Sequence, residues 1–294
     1  MTGKPKTLIT AIYGEIIKIC CRLNLIGPLY HIPQDSEKRQ RVIVSVTSYG
    51  RRVKSVLSYS LISLFRQTYK PDMIVLWLDA DKWSDKNLPK QLTRLKKYGL
   101  TIRYCRELKS YTKIIPSLRA FPDDLIITFD DDCYYRNNAV ERLVAAYNSD
   151  PSRIYCLRAH RIKINSDGML LPYKKWEKEI YDDNSRLVFP TGVGGVLYDL
   201  KLLHDDVCKE KLFMSLSPKA DDVWLYFMEY LKGTRCRVLP NEGISRIPLN
   251  VFYRQLHKKE CLAYSNISKG GNDQQIKAVM NHYCIDRIRN DRDN

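Results

Sequence analysis

The sequence predicts an α/β protein with a mainly parallel central sheet flanked by helices. Three observations carry that reading. From Arg41 onward, short apolar runs alternate with helical patterns, as in βαβ units. One of these runs, "LIITF", is five residues fit for a buried strand. The chain has 294 residues, 44% of them hydrophobic, enough for one large core or two modest ones.

The elements follow in order. "VIVSVT" (Val42 to Thr47) predicts a first strand, followed by a helix over about Val53 to Gln67 and a second strand, "MIVLWL" (Met73 to Leu78). "LPKQLTRLKKYG" predicts a helix with Pro89 in its first turn and Gly99 at its stop. "LTIRYC" is a third strand, Ile114 to Ala120 a short helix and "LIITF" a fourth strand. A helix over about Ala139 to Asn148 and a strand near "RIYCLRA" complete the regular part. The second half is less regular, with "LVFPTGVGGVLY", a helix opened by Asp221 and Asp222, and a loose tail ending "DRIRNDRDN". The expected division is an N-terminal amphipathic helical extension (1–40), a main domain (41–260) and a C-terminal helix and tail (261–294).

Charge and cysteine content narrow the function classes. The formal net charge is +16, and Lys82 to Arg119 holds eleven Lys and Arg against Asp85 and Glu107 alone. Such a field favours anionic partners or simply solvates a basic face. Nine cysteines without a C-x-x-C pair indicate neither a zinc site nor a disulfide scaffold, so reduced thiols in a cytoplasm are expected. The N-terminal "TLITAIYGEIIKICCRLNLIG" is interrupted by Glu15, Lys18 and Arg22 and is expected neither to span nor to export. Those charges fall on one helical face and Leu8, Ile12, Ile16, Ile19 and Leu23 largely on the other. The helix either lies on the cytoplasmic membrane surface, helped by Lys4 and Lys6, or packs on its own domain.

In open α/β sheets ligands bind at the carboxyl ends of the strands. Three such ends here are polar: Thr47 with Ser48, Asp79, and the run Asp130, Asp131 and Asp132 in "LIITFDDDCYY". Alternate residues of an extended segment face the same way, so Asp130 and Asp132 can converge as hard oxygen ligands for Mn²⁺ or Mg²⁺. The structural alternative is an acidic turn or a cap for the helix starting near Asn137. "TGVGGV" (Thr191 to Val196) is neither a G-x-x-x-x-G-K-[ST] nor a G-x-G-x-x-G loop. Its Gly192, Gly194 and Gly195 allow close backbone approach or positive φ. Asp221 and Asp222 suit a helix first turn on dipole grounds alone.

"FDDDCYY" after a hydrophobic fourth strand resembles the D-x-D motif of glycosyltransferases with the GT-A fold. "VSVTSYGRRVKSVLSYSLISLFRQTYKPDMIVLWLD" resembles the opening βαβ of family-2-like members, including "S-L-x-x-Q-T-Y-x-P-D". "RAHRIK", "FPTGVGGVLY", "ADDVWL" and "GGNDQQIKA" resemble blocks of bacterial surface-polysaccharide enzymes of this type, over about residues 41 to 283. The triple aspartate departs from the pattern and leaves open whether Asp130 or Asp131 works with Asp132.

The resemblance implies a divalent-metal-dependent hexosyl transfer, inverting, from a nucleotide-sugar donor, UDP-linked, to a lipopolysaccharide, capsule or lipid-linked acceptor. It implies an enzyme that is cytoplasmic or peripheral on the inner membrane surface, without a nucleic-acid partner. Thr47, Ser48, Asp79, Lys113, Asp130 and Asp131 fall where the nucleotide and diphosphate are held. Asp130, Asp132 and His257 fall where metal ligands are found, and Thr191, Gly192, Gly194 and Gly195 where a loop lines donor sugar and acceptor. Asp221, slightly ahead of Asp222, is expected to supply the general base. Each has a plainer reading: Asp79 as a loop cap, Lys113 as one more basic-face charge, His257 as an ordinary imidazole. Rival functions are a metal-dependent nucleotidyltransferase or phosphohydrolase, which suits paired aspartates, and a basic nucleic-acid-binding protein, which suits +16 and twenty tyrosines.

Overall fold

The computed structural model describes residues 3–32, 40–257, 266 and 270–288. Ten helices are described: α1 (Gly3–Arg22), α2 (Arg52–Ser55), α3 (Leu57–Leu64), α4 (Lys90–Lys96), α5 (Ile115–Ala120), α6 (Ala139–Ser149), α7 (Glu210–Leu216), α8 (Asp221–Lys232), α9 (Val251–Leu256) and α10 (Gly271–His282). The strands are β1 (Val42–Thr47), β2 (Met73–Asp79), β3 (Leu100–Cys105), β4 (Leu125–Phe129), β5 (Cys133–Tyr135), β6 (Arg153–Cys156), β7 (Ala159–Arg161), β8 (Glu177–Ile180), β9 (Val188–Pro190), β10 (Val196–Tyr198), β11 (Arg235–Val238) and β12 (Arg246–Pro248).

Seven strands form the central sheet in the order β11-β6-β10-β4-β1-β2-β3. β1 pairs in parallel with β2 and β4, β2 with β3, and β6 with β11; β10 alone runs antiparallel to its neighbours β4 and β6. β1 shows why its residues make a strand: Val42, Val44 and Val46 enter the apolar layer that holds Leu57, Leu61, Leu92 and Leu143. Ile43 points the other way, into the layer with Leu118, Phe213, Trp224 and Ile276. Helices therefore cover both faces, and this is why the runs are continuous rather than alternating. The mainly parallel, helix-flanked sheet is the expected fold class.

Several expected elements differ. The helix expected over Val53 to Gln67 breaks at Val56, whose φ of −124° is not helical, and α3 ends at Leu64. Pro89 is not inside the first turn: its extended backbone caps α4 from outside. The strand near "RIYCLRA" splits because β6 belongs to the central sheet, while β7 pairs with β8 and β9 in a separate one. β5 follows the aspartates and pairs with β12. The last residues of the tail, 289–294, lie outside the described residues.

α1 does pack on its own domain, against β12 and α9. α10 packs on α7 and α8. No helix among the described residues is long and apolar enough to cross a membrane. All cysteines among them are free.

Candidate active site

The carboxyl ends of β1, β2 and β4 come together because these strands are parallel neighbours, and the polar residues expected at their ends meet there. β4 delivers Asp130, and the chain turns through Asp131 and Asp132 into β5. The turn is pinned by Tyr135, whose hydroxyl accepts from the Asp130 N–H at 2.9 Å, and by Leu249, whose N–H donates to the Asp132 carbonyl at 2.8 Å. The aspartates do not cap α6, which begins only at Ala139.

Each of the three carboxylates faces a cation. Asp131 is buried; it accepts from Ser48 Oγ at 2.5 Å and from Arg52 Nη1 at 2.8 Å. Arg52 Nη2 also lies 3.2 Å from Asp132 Oδ2, so one guanidinium spans two neighbouring carboxylates. Burial is the main reason the Asp131 carboxyl rises to about 6; Arg52 holds it down and the Asp132 charge pushes it up. Asp130 meets Lys113 Nζ at 3.0 Å. Burial raises its carboxyl, but Lys113, Arg52 and Arg254 together outweigh it and the net shift is downward.

Lys113 is not part of the solvated basic face. It ends the short 3₁₀ turn Lys109–Lys113, is buried, and its carbonyl accepts from Ser45 Oγ at 2.6 Å. Its Nζ also lies 3.2 Å from Asp221 Oδ2 at the start of α8. Burial disfavours its charged form, yet Asp130, Asp221 and Asp222 together hold its pKa well above the ordinary value.

Asp222, more accessible than the buried Asp221, accepts from the Gly192 N–H at 3.0 Å. Desolvation first, then the Asp221 charge, lifts its carboxyl to about 7, with Lys113 pulling the other way. The glycine loop lies hard against this network. A Cβ on Gly192 would come within 2.5 Å of Lys113 Nζ, and one on Gly194 within 2.6 Å of Arg158 Cβ. Gly195, at φ +102°, would place a Cβ 2.5 Å from Phe129 Cε1. Thr191 Oγ1 accepts from Arg158 Nη1 at 2.7 Å.

The remaining expected residues separate into two places. Thr47, Ser48 and Asp79 line one small cleft with Lys82, Trp83 and Glu107. Thr47 Oγ1 donates to the Trp77 carbonyl at 2.9 Å. Asp79 does cap its loop, accepting from the Asp81 N–H at 3.1 Å, and pairs with Lys82 at 2.9 Å. His257 ends α9, stacked on Tyr253 at 4.1 Å. Among the described residues no three His, Cys, Asp or Glu side chains converge as a metal-binding group.

A divalent cation fits the remaining donor set. Asp130, Asp131, Asp132, Asp221 and Asp222 outnumber Lys113, Arg52 and Arg254, and Asp221 Oδ2, buried 3.2 Å from Lys113 Nζ, is ion-paired there but makes no hydrogen bond. A surplus of hard oxygen charge suits ions that draw their other ligands from water and phosphate.

The sequence matches the family described as glycosyl transferase family 2 over residues 44–211, more than half of the chain. The chain belongs to glycosyl transferase family 2. The match runs from β1 through the aspartate turn and the glycine loop to the start of α7. The family-2 chain is also similar, at 15% identity, to the structure of S. aureus TarS 1-349, covering 84% of this chain and 73% of that one with a TM-score of 0.48. The same protein in complex with UDP gives 14% identity, the same coverage and a TM-score of 0.47. The inositol-1-phosphate CTP transferase from T. maritima gives 14% identity, 70% and 87% coverage and a TM-score of 0.42. No curated protein sequence matches the chain. The assignment of this glycosyltransferase rests on the family match.

Two of its site residues were not among those expected from the sequence. Arg52 stands among other cations in "GRRVK", and Arg158 in "RAHR" was singled out only as part of a block. Arg52 precedes Val53 at the opening of the helix after β1, the end of a helix where backbone N–H groups collect, and that position was the available clue.

Proposed function

We propose that the chain moves a sugar from a UDP-sugar to a hydroxyl of a bacterial surface glycan or lipid-linked acceptor, with inversion, in the manner of hexosyltransferases of lipopolysaccharide or capsule synthesis. The catalytic unit is 41–260, cytoplasmic and in peripheral contact with the inner membrane surface. One observation carries the reading: Lys113 joins the strand-end carboxylate Asp130 to the Asp221 and Asp222 pair, so a diphosphate site and a base lie on either side of one cation.

Thr47, Ser48 and Asp79 would hold base and ribose in their shared cleft. Asp132, with Asp130 or Asp131, would hold Mn²⁺ or Mg²⁺, which when bound offsets charge on the departing diphosphate. Arg52 must release or share Asp132 for this to happen. Thr191, Gly192, Gly194 and Gly195 would face donor sugar and acceptor. Of the acidic pair, Asp222 suits the base better: it is more accessible, free of the Lys113 ion pair, and poised near neutrality, where a base both accepts and releases a proton.

The test is thermal shift with UDP, GDP and CMP, with and without Mn²⁺, on the native chain and Asp132→Ala, followed by product analysis. A shift requiring UDP and Mn²⁺ together, lost in the variant, with UDP released from UDP-sugar, supports the proposal. Pyrophosphate released from a nucleoside triphosphate instead would establish a nucleotidyltransferase.

A further inference from the structure

α1 is turned the opposite way to an ordinary surface helix. Its inward side is made of Ala11, Gly14 and Cys21, and a Cβ on Gly14 would lie 2.6 Å from the Pro248 carbonyl oxygen. Small residues let the helix sit close against β12. Ile17 is half-buried beside them, but most of the large residues are left outside: Leu8, Ile9, Ile12, Tyr13, Ile16 and Ile19 are 47% to 54% exposed, and Leu23 is 62% exposed. A helix on a globular surface normally buries such a stripe. At 1.5 Å per residue, Leu8 to Leu23 extends about 22 Å, too long a run to be scattered surface apolar residues.

A second observation lies beside it. A cleft of about 1200 Å³ opens between α1, α3, α4 and α9. Lys18, Arg22, Arg51, Lys54, Arg94 and Lys97 line it, and Glu15 is the only acid among its described lining residues. Glu15 is already paired with Lys18. At the mouth, Phe252 and Leu256 of α9 are 42% and 82% exposed. The sequence adds Lys4 and Lys6 at the start of α1.

We propose that α1 and this cleft form a docking surface for an anionic lipid bilayer. The apolar stripe enters the boundary between headgroups and acyl chains, and the cleft cations hold headgroup phosphates. This deepens the membrane contact proposed above and rests on that part of the reading, not on the sugar transferred. Charge decides the occupant: a second copy of this chain would bring the same cations to the same face, whereas an anionic bilayer answers both features at once. The docked helix would also be near the chemistry. α1 packs on β12, β12 pairs with β5, and β5 directly follows Asp132, so a lipid-linked hydroxyl would be presented from the membrane side of the aspartate turn.

The experiment is vesicle flotation of the full chain on neutral phosphatidylcholine vesicles and on vesicles containing phosphatidylglycerol, with UDP and Mn²⁺ thermal shift measured on the same samples. The variants are the double substitutions Ile12→Glu with Ile16→Glu, and Arg94→Glu with Lys97→Glu; all four residues lie away from the carboxylate network and from the cleft of Thr47, Asp79 and Trp83. The expected result is flotation with anionic vesicles only. The Ile pair should weaken it by more than about tenfold, and the cation pair by about fivefold per residue. Both variants should keep the nucleotide shift of the native chain. Equal partition of the Ile variant and the native chain, or no flotation of the native chain, overturns the proposal while leaving the transferase reading intact. So does a native dimer that the Ile variant splits without losing flotation, which would assign the stripe to a second copy. Loss of the nucleotide shift in the native chain with flotation retained overturns the transferase reading instead.

Discussion

Lys113 Nζ lies 3.0 Å from Asp130 Oδ1 although one residue leaves a 3₁₀ turn after β3 and the other directly follows β4. The lysine is buried with carboxylates on two sides, so its removal leaves acids without a partner. Lys113→Met is expected to destabilise the chain by about 3–5 kcal/mol, the range for breaking a buried pair by removing one member. Asp130 should lose its depressed pKa in the same variant. Denaturant unfolding at neutral pH measures the first effect. A loss under about 1 kcal/mol would mean that water reaches the Lys113 site and screens it.

Gly192 and Gly195 fail differently when given a methyl group. At Gly192 the obstacles are the Lys113 ammonium and the Asp222 carboxylate, both movable side-chain ends. Gly192→Ala should therefore fold but displace the network, with a loss of turnover of roughly 10²-fold. At Gly195 the obstacle is the Phe129 ring in the core, and φ is +102°. Gly195→Ala is expected to cost about 1–3 kcal/mol of stability. Melting temperature and turnover measured on both variants separate the two; an inactive, unfolded Gly192→Ala would overturn the distinction.

The parts legible in the sequence were those decided locally. β1, β3 and β4 begin and end at the expected residues: β1 and β4 are mainly apolar runs buried on both faces, and β3, partly buried at the sheet edge, follows the Gly99 stop of the preceding helical segment. The small sheets escaped notice: three-residue strands such as β5 and β12 exist only through pairing with a distant partner. The aspartate turn, the glycine loop and the acidic pair were visible as motifs. That Lys113 leaves its basic run to enter the core was not, because composition gives a charge no direction. The amphipathic pattern of α1 was visible, and it packs on its domain. That Ala11, Gly14 and Cys21 form the packed side could have been read from their small size and helical spacing.

Arg52 holds Asp131 and Asp132 together. Without it, two buried carboxylates repel, and the Asp131 pKa, already about 6, rises further. Arg52→Ala is expected to lose about 1–3 kcal/mol at pH 8. The loss should shrink on acidification, since protonation of Asp131 removes the repulsion that the guanidinium offsets. Chemical denaturation of the native chain and the variant at pH 8 and pH 5 checks this. A pH-independent difference would assign Arg52 a packing role only.

Asp222 links stability and activity to pH in opposite directions. Its carboxyl ordinarily titrates near 3.8, and in the fold it rises to about 7 through desolvation and the Asp221 charge. The fold therefore penalises the charged form. The penalty is absent below about pH 4, grows as pH rises and is complete above about 7. Asp222→Asn removes it, so the variant should be more stable than the native chain by on the order of 1–2 kcal/mol at pH 8 and equal to it near pH 4. Turnover runs the opposite way: a base must be ionised, so activity of the native chain should rise through about pH 7 and be lost in Asp222→Asn, with UDP and Mn²⁺ binding retained. Unfolding curves from pH 4 to pH 8 and a pH–rate profile test both halves. An Asn variant that keeps native turnover would pass the role of base to Asp221, and one less stable at pH 8 would show that the Asp222 charge is satisfied in the fold.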